Sequence, residues 1–223
     1  MSITRAQVNG VEALAAWLNE NAADFFSSVT YENDVLTATD KNDYIVMEIC
    51  NTSNAGYLRA YRSESGYISA NMYQDAFSGT IDIIKCDNGI IIDTKYRYNT
   101  DRKFGVLISP TNNDELAIIF SYGGTTTTSS NYLYTQLQHV AFGDSATMST
   151  TTTFTPESGQ QTNFCKFCTN ADITDVSYTP KAFYLSMHST YNSGIGKFLS
   201  GGKVYITNGY WAIDTEQTEE DAT

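Results

Sequence analysis

The chain has little basic charge, few cysteines and little proline. Among its 223 residues, 13 are lysine or arginine against 25 aspartate or glutamate, which gives a net charge of −12. Because nucleic-acid binding depends first on neutralising phosphates, this balance argues against a nucleic-acid partner. Four cysteines are too few for a disulfide scaffold in a chain of this length, so we expect free thiols.

The sequence also lacks a long apolar run. Stretches such as "ELAIIF" and "GIIID" are far shorter than a membrane span, so we expect no membrane partner. The N-terminus "MSITRAQVNGVEALAAWL" lacks the basic start and unbroken apolar stretch of a secretory signal. We therefore expect synthesis in the cytoplasm without a signal peptide.

The chain is rich in tyrosine, threonine, isoleucine and valine, with 16 Tyr and 11 Phe, and this balance favours pleated sheet. From residue 29 onward the apolar period is two, which predicts half-buried antiparallel strands. In "YIVMEIC", "YLRAYR" and "YISANMY" the inward sets are Ile45, Met47 and Ile49, then Leu58 and Ala60, then Ile68, Ala70 and Met72. In "IIIDTKYRY", Asp93, Lys95 and Arg97 take the other side from Ile92. Asp87-Asn88-Gly89 is one of several hairpin-turn signals, so we predict an antiparallel β-sandwich or rolled sheet.

The first 28 residues predict one amphipathic helix. Its apolar positions recur at steps of three and four, at Val8, Val11, Leu14, Leu18, Ala22 and Phe25. Two starts fit a capping box: Thr4 with Gln7, or Asn9 with Glu12. The helix either covers its own sheet or docks as an arm on a neighbouring subunit.

Three regions follow from these patterns. We predict an N-terminal helical segment at 1–28, an antiparallel β domain at 29–214 and an acidic, disordered tail at 215–223. Threonine-rich stretches interrupt the β domain, which is either one unit or two subdomains at 29–122 and 131–214.

The stretch "NSGIGKFLSGGKVYITNGYWAID" at 192–214 looks at first like a phosphate-binding loop. That loop needs Gly-x4-Gly-Lys-Ser/Thr, and neither alignment on its glycines supplies both the lysine and the hydroxyl. The glycines instead predict turns at Ser193 to Gly196 and at Gly201-Gly202, followed by a strand with Val204 and Ile206. Asn208-Gly209 then predicts a second hairpin.

The other residues that could take part in catalysis or metal binding are scattered along the sequence. Cys165 and Cys168 form a single C-x-x-C, whereas zinc usually needs a second pair or clustered histidines, so a metal site there stays open. His139 and His188 lie far apart in the sequence and fit sheet positions better than catalytic ones. The neighbouring acids Asp172 and Asp175, and Asp114 and Glu115, are typical of turns and surfaces. We therefore assign no catalytic, cofactor-binding or metal-binding residues, and expect no enzyme activity and no cofactor.

Tyrosines on the strands offer one further feature. By alternation, Tyr57, Tyr61, Tyr67 and Tyr73 face away from the inward residues of their strands. They either line a recognition face, since tyrosine combines rigid area with a polar tip, or pack between sheets.

The run "DVSYTPKAFYLSMHSTYNSGIGKFLSGGKVYITNGYWAID" at 175–214 resembles the endings of structural proteins from tailed bacteriophages and prophages of gut bacteria. The resemblance implies a non-enzymatic, self-assembling protein of the virion, of the tail or baseplate type, made in a bacterial cytoplasm. Its implied partners are copies of itself and other virion proteins. The alternative is a receptor-binding β module that recognises a carbohydrate or cell-surface partner. The resemblance carries over no functional residues.

Overall fold

A computed structural model of the chain describes residues 2–52, 56–63, 66–71, 77, 79–94, 103–110, 116–128, 131–141, 149–154, 182–184, 196–207 and 211–218.

Three antiparallel sheets and one helix, α1 (Gly10–Asn21), make up the described chain. Sheet I has the strand order β1-β7-β8-β9-β10-β11-β12, sheet II the order β2-β3-β4-β5-β6, and sheet III the order β13-β16-β15-β14. The strands are β1 (Thr4–Asn9), β2 (Phe26–Glu32), β3 (Val35–Asp40), β4 (Ile45–Asn51), β5 (Gly56–Ser63), β6 (Gly66–Asn71), β7 (Thr80–Cys86), β8 (Gly89–Thr94), β9 (Lys103–Pro110), β10 (Leu116–Thr128), β11 (Asn131–Ala141), β12 (Ser149–Phe154), β13 (Ala182–Tyr184), β14 (Gly196–Ser200), β15 (Lys203–Thr207) and β16 (Trp211–Thr218). The predicted mainly β, antiparallel fold with one N-terminal helix is confirmed.

The helix begins later than one of the two predicted starts. Asn9 is its N-cap, as the second capping box predicts, although the Asn9 side chain makes no capping hydrogen bond. The start at Thr4 is wrong because Thr4–Asn9 forms β1, which pairs with β7 and places Val8 opposite Ile81. Along β1 the exposed fraction alternates at every residue, which is the period of a strand at a sheet edge.

The helix α1 covers its own sheets rather than extending as an arm. Its buried side chains belong to the main core cluster together with residues of sheets I and II; they are Val11, Leu14, Ala15 and Leu18. Burying this stripe removes apolar area from water and holds the two sheets together. No helix within the described ranges is long and apolar enough to cross a membrane.

Sheet I is covered on both faces in its middle. Ile83, Ile92 and Ile108 belong to the core shared with sheet II and α1. The alternate residues Ile84 and Ile91 are also fully buried, on the face where strands of sheet III approach β7 and β8. The expectation that β8 is half-buried is therefore wrong: all six of its residues, including Asp93, are buried. A strand with both faces covered has an unbroken apolar run, and "GIII" is that run.

The predicted inward faces of sheet II are confirmed at Leu58 and Ala60, which are fully buried. They are wrong at Ile45, which is 42% exposed, while Val46 is 1% exposed. The cause is a β-bulge: Met47 pairs with Ala38 and Ile45 with the next residue, Thr39, so Val46 is an extra residue in β4. A bulge reverses the inward and outward sides of everything beyond it. The positions Ile68, Ala70 and Met72 cannot be compared, because their side chains lie outside the described residues.

Sheet III contains the glycine-rich stretch. Gly201 and Gly202, with φ of 59° and 75°, form the predicted turn between β14 and β15. Val204 and Ile206 are buried on β15, and β15 pairs antiparallel with β16. The turn residues Asn208-Gly209 and the segment Ser193 to 195 lie outside the described ranges.

Two predicted boundaries differ from the elements observed. The strand β16 extends to Thr218, so residues 215–218 are part of a sheet and not of a disordered tail; the Thr215 hydroxyl, buried, donates to the carbonyl of Val204 at 2.6 Å. In addition, β10 and β11 pair along Ile118 to Ala141, so one sheet contains strands from both 29–122 and 131–214.

Candidate functional site

The outward side of sheet II carries a compact polar cluster, which we call the Tyr57 face and define as Glu48, Cys50, Tyr57 and Arg59. It arises from alternation: Leu58 is buried in the core, so its neighbours on β5 take the opposite side. The β4–β5 ladder then sets Cys50 directly opposite Tyr57, and Glu48 directly opposite Arg59. Residues paired across antiparallel strands are close enough for their side chains to interact.

Arg59 links the members of the Tyr57 face. Its guanidinium carbon lies 4.0 Å from the centre of the Tyr57 ring, within the range of a cation–π contact. Its Nη1 lies 3.3 Å from Oε2 of Glu48, and the two side chains are 30% and 18% exposed. The arginine therefore bridges an aromatic ring and a carboxylate, and it holds the Tyr57 ring in a fixed orientation on the sheet surface.

Burial raises the pKa values of two groups on this face, the Tyr57 phenol and the Cys50 thiol. The pKa of the Tyr57 phenol is raised, first by burial and then by the Glu48 carboxylate, while Arg59 acts in the opposite direction. Burial also raises the pKa of the Cys50 thiol, and the Asp34 carboxylate adds to the effect. Both groups are thus neutral near pH 7. A protonated thiol is a poor nucleophile, so the chemistry on offer here is hydrogen bonding and stacking.

The structure brings together only part of the predicted tyrosine set. Tyr57 is half-buried on the outward side of sheet II, the side that alternation predicts. It does not belong to the core cluster between sheets I and II, so the alternative of packing there does not hold for this tyrosine. The β5–β6 ladder pairs Tyr61 with Tyr67. The side chains of both, and all of Tyr73, lie outside the described residues.

The other residues singled out in the sequence are not gathered into a site within the described part of the chain. His139 falls on β11, where only the backbone is described. Residues outside the description are Asp114, Glu115, Cys165, Cys168, Asp172, Asp175 and His188. Cys50 and Cys86 are buried free thiols, as expected for them. Among the described residues, no group of three or more His, Cys, Asp or Glu side chains is arranged to hold a metal ion.

Sequence reasoning missed a pair of carboxylates on sheet I. Asp82 and Asp93 are directly opposite each other in the β7–β8 ladder, and Asp93 is buried. The Gln7 side-chain amide donates to Oδ1 of Asp82 at 2.7 Å. Like charges in this position are destabilising unless other groups compensate. The signal was present: a two-residue turn at Asp87-Asn88 fixes the register that pairs the two acids.

The glycine-rich stretch forms a structural hairpin instead of a phosphate loop. The residue that follows its glycines, Lys203, begins a strand, and its Nζ lies 2.8 Å from Oδ2 of Asp214 on β16. In a phosphate loop this lysine would reach a phosphate and a helix would follow. Here the lysine joins two strands of sheet III.

No family model, curated protein or solved structure matches the chain.

Proposed function

We propose that the chain is a non-enzymatic structural protein of a tailed bacteriophage or prophage particle, of the tail or baseplate type, that associates with copies of itself and with other virion proteins. The observation that carries the proposal is the resemblance of residues 175–214 to the endings of such proteins. In the fold, the later part of this stretch supplies β14, β15 and β16 of sheet III. A layered β module is a plausible building unit, because its edge strands provide ready contacts for further chains.

The placement of charged residues supports a structural role. Two of the three described ion pairs involve lysines that connect elements of the fold. Lys203 pairs with Asp214 within sheet III, and the Nζ of Lys85 on β7 lies 2.7 Å from Oδ2 of Asp24, just before β2. The Lys85 ammonium also lies 5.5 Å from the centre of the Phe25 ring. Both lysines are thus used within the fold.

Two measurements test this proposal. Light scattering at micromolar concentration is expected to give a closed homo-oligomer, and the gene is expected beside genes for tail-tube or baseplate parts. A strictly monomeric protein would contradict the self-association. A gene neighbourhood without virion genes would contradict the phage assignment.

A receptor-binding module is the second candidate, and the Tyr57 face is the observation that favours it. A rigid ring with a neutral hydroxyl, held beside a charged pair on a sheet surface, suits stacking on a sugar and hydrogen bonding to its hydroxyls. Retention of a glycan on an array by a monomeric protein, lost in Tyr57→Ala, would favour this candidate. Tyr44→Ala is the matched control, because Tyr44 lies in the β3–β4 connection away from that face. Equal binding by the two variants would contradict a role for the face.

A further inference from the structure

Leu199 on β14 is an exposed apolar side chain on a face of sheet III whose β15 residues are buried. The ladder pairs Leu199 with Val204 and Lys197 with Ile206, so these four share one face of sheet III. Val204 is 1% exposed, whereas Leu199 is 52% exposed. The face of sheet III that is buried on β15 is thus exposed where it continues onto β14.

The same strand ends the sheet. Within the described residues, β15 lies on one side of β14 and no strand pairs with its other side. An edge strand presents a row of backbone N–H and C=O groups, which is a template for another strand.

Resting on the self-association in the proposed function, we propose that β14 pairs antiparallel with β14 of a second copy, about a two-fold axis through the backbone of Phe198. The two four-stranded sheets then join into one continuous sheet, and the contact is isologous, the commonest kind in closed dimers.

The length of β14 and the charge of Lys197 favour this register over its neighbours. An axis at Phe198, the middle of Gly196–Ser200, lets every residue of the strand pair. It sets Lys197 of one copy opposite Leu199 of the other, so the lysine stem covers the exposed leucine while its ammonium extends into water. An axis at Lys197 would set two lysines opposite each other, which is unfavourable. An axis at Leu199 would use Gly201, which belongs to the hairpin turn.

The distribution of charge favours a second copy as the occupant. The hairpin at 196–207 contains two lysines and no acid, in a protein with a net charge of −12. Lys203 is already paired with Asp214. Two copies that meet through this hairpin therefore keep their acidic surfaces apart, which reduces the repulsion between them. A lysine on an edge strand ordinarily opposes pairing, and this register avoids that effect because the two Lys197 residues are not opposite each other.

Charge-exchange variants measured by light scattering across a concentration series test the register. Leu199→Lys sets lysine opposite Lys197 twice per dimer, and we expect the dimer dissociation constant to rise on the order of tenfold or more. Adding Lys197→Glu sets glutamate opposite the new lysine and restores the dimer. Ser28→Lys, on the exposed edge strand β2, is the matched control and leaves association unchanged.

Each outcome decides a different point. A loss in Leu199→Lys with recovery in the double variant supports the β14 pairing. An oligomer that persists unchanged in Leu199→Lys overturns the pairing and leaves the proposed self-association standing. A wild-type protein that is monomeric throughout the series overturns both. Because Leu199 is exposed, circular dichroism is expected to show an unchanged fold in all variants.

Discussion

Gly89 lies directly against Ile213: a Cβ built on this glycine would be 2.7 Å from Cδ1 of Ile213 and 2.5 Å from the carbonyl oxygen of Ile108. Such distances are closer than real Cβ contacts allow. The glycine opens β8 in the middle of sheet I, and Ile213 belongs to β16 of sheet III. The absence of a side chain at position 89 is therefore what lets the two sheets approach.

Gly89→Ala should lower the free energy of unfolding by about 1–3 kcal/mol, because the new methyl group must displace both the Ile108 carbonyl on β9 and the Ile213 side chain on β16. Gly79→Ala is the matched control, since a Cβ there has no atom within 4 Å, and it should change stability by less than about 0.5 kcal/mol. Urea unfolding of both variants makes the comparison. Equal stabilities would contradict the close approach of sheet III to β8.

Asn88→Ala should also destabilise the contact between sheets I and III. The Asn88 side-chain amide donates to the carbonyl of Asp214 at 2.7 Å, and the residue is buried. Its loss leaves a part-buried carbonyl without that donor, and we expect a cost of about 1–3 kcal/mol in urea unfolding. Asn21→Ala removes a similar bond, to the carbonyl of Trp17, at an exposed helix end and should cost much less. A larger loss for Asn21→Ala would show that Asn88 is not a link between the sheets.

The sequence predicts strands well where local patterns decide and poorly where distant parts of the chain decide. Alternation correctly placed Leu58 and Ala60, and the two glycines correctly placed the β14–β15 turn. The second covered face of β8 depends on sheet III, which is more than a hundred residues further along the chain, as the 126-residue separation of Asn88 and Asp214 shows. Periodicity within one strand carries no information on such a partner.

Only part of the candidate site could be predicted from the sequence, because the rest depends on how strands pair. Alternation alone gives Tyr57 and Arg59 a common face on β5. Their association with Glu48 and Cys50 requires the β4–β5 register, and the sequence "TSNA" at 52–55 between these strands contains no hairpin dipeptide such as Asn-Gly that would predict it. The bulge in β4 depends on its pairing with β3, and the formation of a strand by Thr4–Asn9 depends on its pairing with β7. Neither partner can be identified from the local sequence.

The bulge in β4 gives a test at two adjacent residues. Val46→Ala should lower the free energy of unfolding by about 1–3 kcal/mol, since Val46 is buried in the core. Ile45→Ala, which removes more carbon atoms, should lower it by less than Val46→Ala does, by about 0.5 kcal/mol, since Ile45 is 42% exposed. A simple two-residue alternation from Met47 predicts the reverse order. Thermal or urea unfolding that gives the reverse order would exclude the bulge.

Cys86 should make the fold sensitive to alkali. Burial raises the pKa of its thiol from 9.0 to about 11, although the backbone N–H groups of Asn88 and Gly89 act in the opposite direction. Between these two values the folded thiol keeps its proton while the unfolded thiol ionises, so the unfolded state is favoured as pH rises. The contribution of the Cys86 thiol to the free energy of unfolding is fully present below pH 9 and is lost by about pH 11. The free energy of unfolding decreases by about 2–3 kcal/mol over this range.

Urea unfolding of the wild type and Cys86→Ala as a function of pH isolates this effect. The cavity left by the alanine lowers stability equally at every pH, whereas the proton-linked loss occurs only in the wild type. The raised pKa values of Tyr31, Cys50 and Tyr57 contribute the same downward slope to both proteins. The stability difference between wild type and variant should therefore shrink by about 2–3 kcal/mol as pH rises from 9 to 11. Parallel curves would mean that Cys86 ionises as readily in the fold as in the unfolded chain, and that the second face of sheet I is open to water.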